Sequence, residues 1–151
     1  MAINTIHSPK TASSTAGDSE PPVKLCNGVS VLVVDDNKVN RKVLMTMLRW
    51  ARMRAKEVEN GKEAVDLHIA GTNFDLIFID MEMPVMDGPQ ATRILRQMGV
   101  RARMVGVSGN CRDRDREAFV AAGLDEFYVK PLRGQTLVEI LHRVDDDISN
   151  R

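Results

Sequence analysis

Charge of one sign is missing from this chain. Lys+Arg and Asp+Glu both total 21, which gives no electrostatic footprint for nucleic acid or an anionic membrane. Cysteine is scarce, and Cys26 and Cys111 are far apart with no metal-ligand spacing. They could pair only if the N-terminal segment folded back, so a reduced cytoplasmic or nuclear compartment is expected. No apolar run approaches the length needed to cross a bilayer. The opening MAINTIHSPKTASSTAG has no basic region followed by an apolar one, so no secretory signal is expected. It is Ser-rich and acid-poor like a plastid transit peptide, but Lys10 is its single basic residue, and that reading is set aside. There are no internal repeats. What remains is ordinary: 43% hydrophobic and 28% charged residues, and enough length for one domain with a real core.

Residues 1–28 are rich in Ser, Thr, Pro and Gly, and carry too few large apolar groups to offset the cost of ordering. A disordered tail is expected there, with the folded unit at 29–151. From Val29 onward strand and helix patterns alternate five times. Strands are predicted near 29–34, 54–58, 75–79, 103–107 and 126–129, and helices near 38–52, 61–70, 88–98, 113–122 and 133–148. Several strands are apolar throughout, as when both faces are covered. The alternation therefore predicts an α/β fold, a doubly wound five-stranded parallel sheet with helices on both faces. Val43, Leu44, Met47, Leu48 and Ala51 form one apolar helical stripe, which leaves Arg41, Lys42 and Arg49 facing water. Asn60-Gly61 and Asp87-Gly88-Pro89 mark helix starts, and Gly71, Gly99 and Gly123 sit where left-handed caps are expected. The run RAKEV at 54–58 suits an edge strand.

Four polar groups close four of the predicted strands: Asp35-Asp36 after VSVLVV, Asp80 after FDLIFI, Ser108 after RMVGV, and Lys130-Pro131 after DEFYV. In open parallel sheets ligands bind beyond the carboxyl ends of the strands, so these groups should share one cleft. Asp80 is the candidate nucleophile, since a carboxylate can accept a phosphoryl group and split one transfer into two steps. Asp75 begins a strand and belongs at the opposite end, while Asp87 reads as a helix cap. Taken alone, Asp35 and Asp36 would be turn residues. Beside Asp80 they make a cluster of repelling carboxylates that a hard divalent cation would compensate, which suggests Mg²⁺ with Mn²⁺ as a substitute. Lys130 should pair with Asp80 at rest and with a phosphate oxygen afterwards. Ser108 offers a hydroxyl at the same level, although a turn role before Gly109-Asn110 is almost as natural. His7 lies in the tail, and His68 and His142 have no partner at ligand spacing and read as surface or boundary residues. The charges at 112–117 alternate in sign, which describes a solvated helix face.

The ordered set VLVVDDN, FDLIFIDMEMPVMDG, VGVSGN and YVKPL resembles the receiver domain of response regulators over about residues 29–148. That resemblance implies the flavodoxin-like strand order 2-1-3-4-5. It casts Asp80 as phosphoacceptor, and Asp35, Asp36, Asp80 and the backbone carbonyl of Glu82 as the Mg²⁺ ligands. Ser108 and Phe127 become switch residues and Lys130 the phosphate-sensing lysine, with a cis bond before Pro131. Glu82 and Asn110 flank the phosphoryl site and would set the lifetime of the aspartyl-phosphate. The phrases NRKVL, ENGKEAVDL and AGLDEFYVKPL resemble short type-C plant response regulators, which implies a multistep phosphorelay of the cytokinin-signalling kind. A histidine-phosphotransfer protein would then be the donor. The chain ends soon after the fifth helix, so a free-standing, monomeric receiver is expected. It would catalyse its own phosphorylation and dephosphorylation, and act in effect as a phosphohistidine phosphatase or phosphate sink. Two other readings stand beside this one. A pseudo-receiver would be a protein-binding module, but it should lack an acid or the lysine. A haloacid-dehalogenase-type phosphatase would want an Asp where Glu82 stands.

Overall fold

The computed structural model describes residues 29–151, so the expected tail over 1–28, with Cys26 and His7, lies outside the described residues. The elements follow the predicted alternation. Strands are β1 (Ser30–Val34), β2 (Arg54–Val58), β3 (Leu76–Asp80), β4 (Arg103–Ser108) and β5 (Glu126–Val129). Helices are α1 (Lys38–Trp50), α2 (Gly61–Ile69), α3 (Gly88–Gln97), α4 (Asp113–Ala121) and α5 (Gly134–Ser149). All strands are parallel, in the order β2-β1-β3-β4-β5. RAKEV is indeed an edge strand, largely exposed and paired only with β1. β3 is displaced by one residue from its expected span, and β4 runs one residue longer. Asp80 and Ser108 are therefore still in register inside the sheet, opposite Val107 and Val129 respectively.

Period-two alternation divides the strand side chains between two cores. Leu32, Val34, Ile77 and Ile79 pack with Ala64, Val65, Ala91, Leu95 and Phe119 of α2, α3 and α4. Val31, Val33, Leu76 and Phe78 pack with Leu48 of α1 and with Leu137, Ile140, Leu141 and Val144 of α5. The sheet is thus covered on both faces, which is why its central strands are apolar throughout. α2 and α3 start as their sequences suggest, and α1 starts in the same way at Asn37. Asn37, Asn60 and Asp87 side chains accept from the main-chain N–H three residues on, at 3.0, 3.0 and 2.8 Å. Gly71, Gly99 and Gly123 all have positive φ after their helices. α4 is the least anchored helix: it has no side-chain cap, and Phe119 is its one buried residue.

Two polar residues depart from expectation. Arg41 is buried rather than facing water, and its Nη1 donates to the Asp35 carbonyl at 2.8 Å. Its guanidinium also approaches Glu59 at 3.5 Å and Glu57 at 3.9 Å, so long-range partners outweigh the helical pattern. His68 is buried too, with Nδ1 2.7 Å from the Ala64 carbonyl and its ring tilted against Phe74. Conversely, Val43 of the predicted apolar stripe is 55% exposed, and Trp50 is 52% exposed.

Candidate active site

Parallel strands deliver their carboxyl ends to one side of the sheet, and there the predicted groups meet. Asp35 follows β1, Asp80 ends β3, Ser108 ends β4 and Lys130 follows β5. Lys130 Nζ is 2.9 Å from Asp35 Oδ2 and 3.1 Å from Asp80 Oδ2. It therefore bridges two carboxylates, where the sequence suggested a pair with Asp80 alone. The other Asp35 oxygen accepts from the Asn37 N–H at 2.8 Å, which ties the acid pair to the start of α1. Arg41 holds the Asp35 carbonyl from beneath. Nothing in the local pattern marks Arg41, because its role depends on a carbonyl six residues back that the helix brings within reach.

Asp35, Asp36 and Asp80 each offer a carboxylate oxygen, and these oxygens lie within 4.8 Å of one another. Three acids facing one lysine leave an excess of negative charge. Asp35 and Asp80 are buried while Asp36 is exposed, so the cluster is open on one side. An all-oxygen donor set with an open face suits a hard divalent cation that keeps several waters. The charge excess also appears in Asp80 itself. Its carboxyl is pushed up to about 6, mainly by burial and further by Asp35 and Asp36, against the opposing pull of Lys130. Lys130 is held above its ordinary value: burial opposes its charge, but Asp35 and Asp80 outweigh that.

Around this cluster opens a cleft of about 940 Å³, which Glu82, Ser108 and Asn110 also line. Asp75 sits at the opposite end of the sheet as expected, accepting from the Ser30 N–H at 2.9 Å, and Asp87 caps α3. Ser108 is buried, and its hydroxyl donates to the Asn110 carbonyl at 3.2 Å. Phe127 packs edge-on against Phe119 at 6.3 Å between centroids, with the Arg116 guanidinium 5.3 Å over its ring. The Lys130–Pro131 bond is cis. Cys111 also lines the cleft, its sulfur 3.7 Å from that of Met81.

Two backbone features of the β3–α3 loop were not visible beforehand. A Cβ on Gly88 would collide with the Asp80 carbonyl oxygen and come within 2.8 Å of Phe119 Cζ, so only glycine lets α3 start this close to Asp80. Val85 has φ of 71°, and the Met86 N–H donates to the Pro84 carbonyl at 2.8 Å. That is a γ-turn of the strained hand at a β-branched residue, beside the cleft.

Comparison with known proteins agrees with this geometry. Residues 31–142 match the family described as the response regulator receiver domain. The chain is 41% identical to two-component response regulator 24 of Arabidopsis thaliana over 117 residues, covering 78% of this chain and 84% of that protein. A receiver domain of the sensor histidine kinase PA1611 from Pseudomonas aeruginosa, solved with a magnesium ion coordinated in its active-site cleft, is 34% identical. Its TM-score is 0.71, over 79% of this chain and 98% of that one. The receiver domain of Ssk1, solved with the histidine phosphotransfer protein Ypd1 of Saccharomyces cerevisiae, has a TM-score of 0.69 at 25% identity, over 78% and 89% of the two chains. No helix among the described residues is long and apolar enough to cross a membrane. An acid cluster bridged by lysine at the strand ends, and a match over residues 31–142, lead to one conclusion: this chain belongs to the response regulator receiver domain family.

Proposed function

We propose that the chain accepts a phosphoryl group onto Asp80 from the phosphohistidine of a histidine-phosphotransfer protein. The observation that carries this reading is the bridging of Asp35 and Asp80 by Lys130 beside Asp36. Lys130 occupies one Asp80 oxygen, which leaves the other free to attack phosphorus. With its carboxyl near 6, Asp80 is ionised at neutral pH yet more basic than an ordinary carboxylate. The new bond is Asp80 Oδ–P, the P–N bond of the donor breaks, and the leaving imidazole takes up a proton. Asp36, Asp80, Asp35 and the Glu82 carbonyl would hold Mg²⁺, or Mn²⁺ in its place. The ion would offset the charge on the phosphoryl oxygens.

Once Asp80 carries phosphate, the Lys130 ammonium pairs with a phosphoryl oxygen. Ser108 breaks its 3.2 Å bond to Asn110 and turns toward the new group, and Phe127 repacks against Phe119. Glu82 and Asn110, at the cleft rim, govern the approach of hydrolytic water and so the lifetime of the phosphate. The donor assignment is supported by the histidine phosphotransfer protein solved with the Ssk1 receiver, and by exposed Val39 and Val43 on α1 near the cleft. In this reading the protein acts as a monomer in the cytoplasm or nucleus, and hydrolysis on Asp80 drains phosphate from the donor.

The test uses purified protein, Mg²⁺ and a phosphorylated histidine-phosphotransfer protein. Label transfers to wild type and is absent from Asp80→Asn. Label that persists in the variant overturns the assignment, and a wild type that binds the donor without taking label is a pseudo-receiver. The decay rate of the labelled protein then separates a lasting signal from a phosphate sink.

A further inference from the structure

A second cavity of about 190 Å³ shares Asn40, Asp80 and Lys130 with the cleft but has different chemistry. Its walls are Val43, Leu44 and Met47 of α1 against Val33, Phe78 and Val107 of the sheet. Val33, Phe78 and Val107 are buried, while Val43 and Pro131 at the margin are exposed, so the space opens to solvent between α1 and the loop before α5. Protein interiors seldom leave voids larger than a water molecule. This one has room for about six waters, and away from the end formed by Asp35, Asn40, Asp80 and Lys130 its walls are carbon. An engineered apolar cavity of about 150 Å³ stays dry and takes up benzene, so the volume here suits one ring.

The polar end limits which ring can enter. Lys130 is already shared by Asp35 and Asp80 at 2.9 and 3.1 Å. A carboxylate ligand would face the Asp35 and Asp80 carboxylates with no free cation. A neutral hydroxyl can donate to an Asp80 oxygen without disturbing either ion pair. We propose that the cavity between α1 and the strand ends is a binding site for a single-ring aromatic compound bearing one hydroxyl and no negative charge. It rests on the cavity and not on the phosphorelay reading, so either can fail alone.

The experiment titrates phenol into the metal-free protein and follows the Met47 ε-methyl and the valine and leucine methyls by NMR. Saturable shifts confined to the cavity methyls are expected, with a Kd of about millimolar for so small a ligand. Benzoate should bind about tenfold more weakly or worse, because it carries a charge the site cannot satisfy. Leu44→Phe fills the space and should abolish the shifts. Should that variant fold poorly, Val43→Phe narrows the mouth at a half-exposed position and should weaken binding by about tenfold. Absence of saturable shifts overturns the proposal. So do equal affinity for benzoate, and unchanged binding in the folded filled variants.

Discussion

Replacing Asp80 by Asn should stabilise the metal-free protein at neutral pH. Burial and the neighbouring Asp35 and Asp36 lift the Asp80 carboxyl from its ordinary 3.8 to about 6 even with Lys130 beside it. A folded-state value above the unfolded one means that folding favours the protonated acid. The associated stability is complete below pH 3.8, declines as pH rises through about 6, and is absent above it. Lifting a carboxyl this far costs the ionised form about 3 kcal/mol, and screening by water at the cleft rim reduces that to about 1–3 kcal/mol. Asn keeps the shape and discards the charge, so Asp80→Asn should gain about 1–3 kcal/mol, or about 4–12 °C in Tm, above pH 6. The gain should vanish near pH 4, where the wild-type acid is also neutral. Added Mg²⁺ should narrow the gap, because ligand binding stabilises the wild type by mass action. Urea melts followed by circular dichroism in EDTA, from pH 4 to 8, measure all of this. A variant no more stable than wild type at pH 7.5, or a gain that does not shrink toward pH 4, would refute the electrostatic reading of the cluster.

Three further substitutions probe its supports. Lys130→Ala leaves Asp35 and Asp80 without their shared cation, so metal-free stability should fall by about 1–3 kcal/mol, and Mg²⁺ should raise Tm more in the variant than in wild type. Equal Mg²⁺ shifts would mean that Lys130 does not offset the cluster. Arg41→Met keeps the buried stem but strands the Asp35 carbonyl, at about 1–3 kcal/mol in urea melts, with a measurable loss of Mg²⁺ affinity by calorimetry. Unchanged metal affinity would confine Arg41 to a packing role. Gly88→Ala places a methyl against the Asp80 carbonyl and Phe119, and should cost about 1–3 kcal/mol and slow phosphoryl transfer to Asp80. A neutral result would show that α3 can back away from Asp80 freely.

The parts of this fold that were legible in the sequence are those set by local pattern. Apolar runs marked four strands whose ends carry Asp35, Asp80, Ser108 and Lys130, and side-chain caps at Asn60 and Asp87 appear where Asx residues precede a helical period. What stayed hidden depends on distance across the fold. Arg41 and His68 sit at helical positions that look solvated, yet each is buried beside a carbonyl it can reach, and no period encodes that. Val43 reads as core because it continues an apolar stripe, but α1 offers more apolar surface than the sheet can cover. The Lys130 bridge to Asp35 joins residues 95 apart in sequence. Strand order itself came from family resemblance, since alternation of β and α units alone permits several parallel arrangements.

The same hidden contacts bear on how a change at Asp80 would be felt elsewhere. Gly88 leaves no slack between the Asp80 carbonyl and Phe119, and Phe119 is the one buried residue of α4. Its ring also meets Phe127, and together with Phe127 and Leu124 it crowds the space a Cβ on Gly106 would need in β4. A helix held by a single aromatic anchor, without a side-chain cap, lies at the low-stability end of the molecule and responds to small displacements of that anchor. On the function proposed above, phosphorylation acts at both ends of this contact chain, on the Asp80 main chain through Gly88 and on Phe127 through Ser108. α4 is therefore the element whose packing should register the phosphate, while α5, with four buried residues against the opposite face, should hold still.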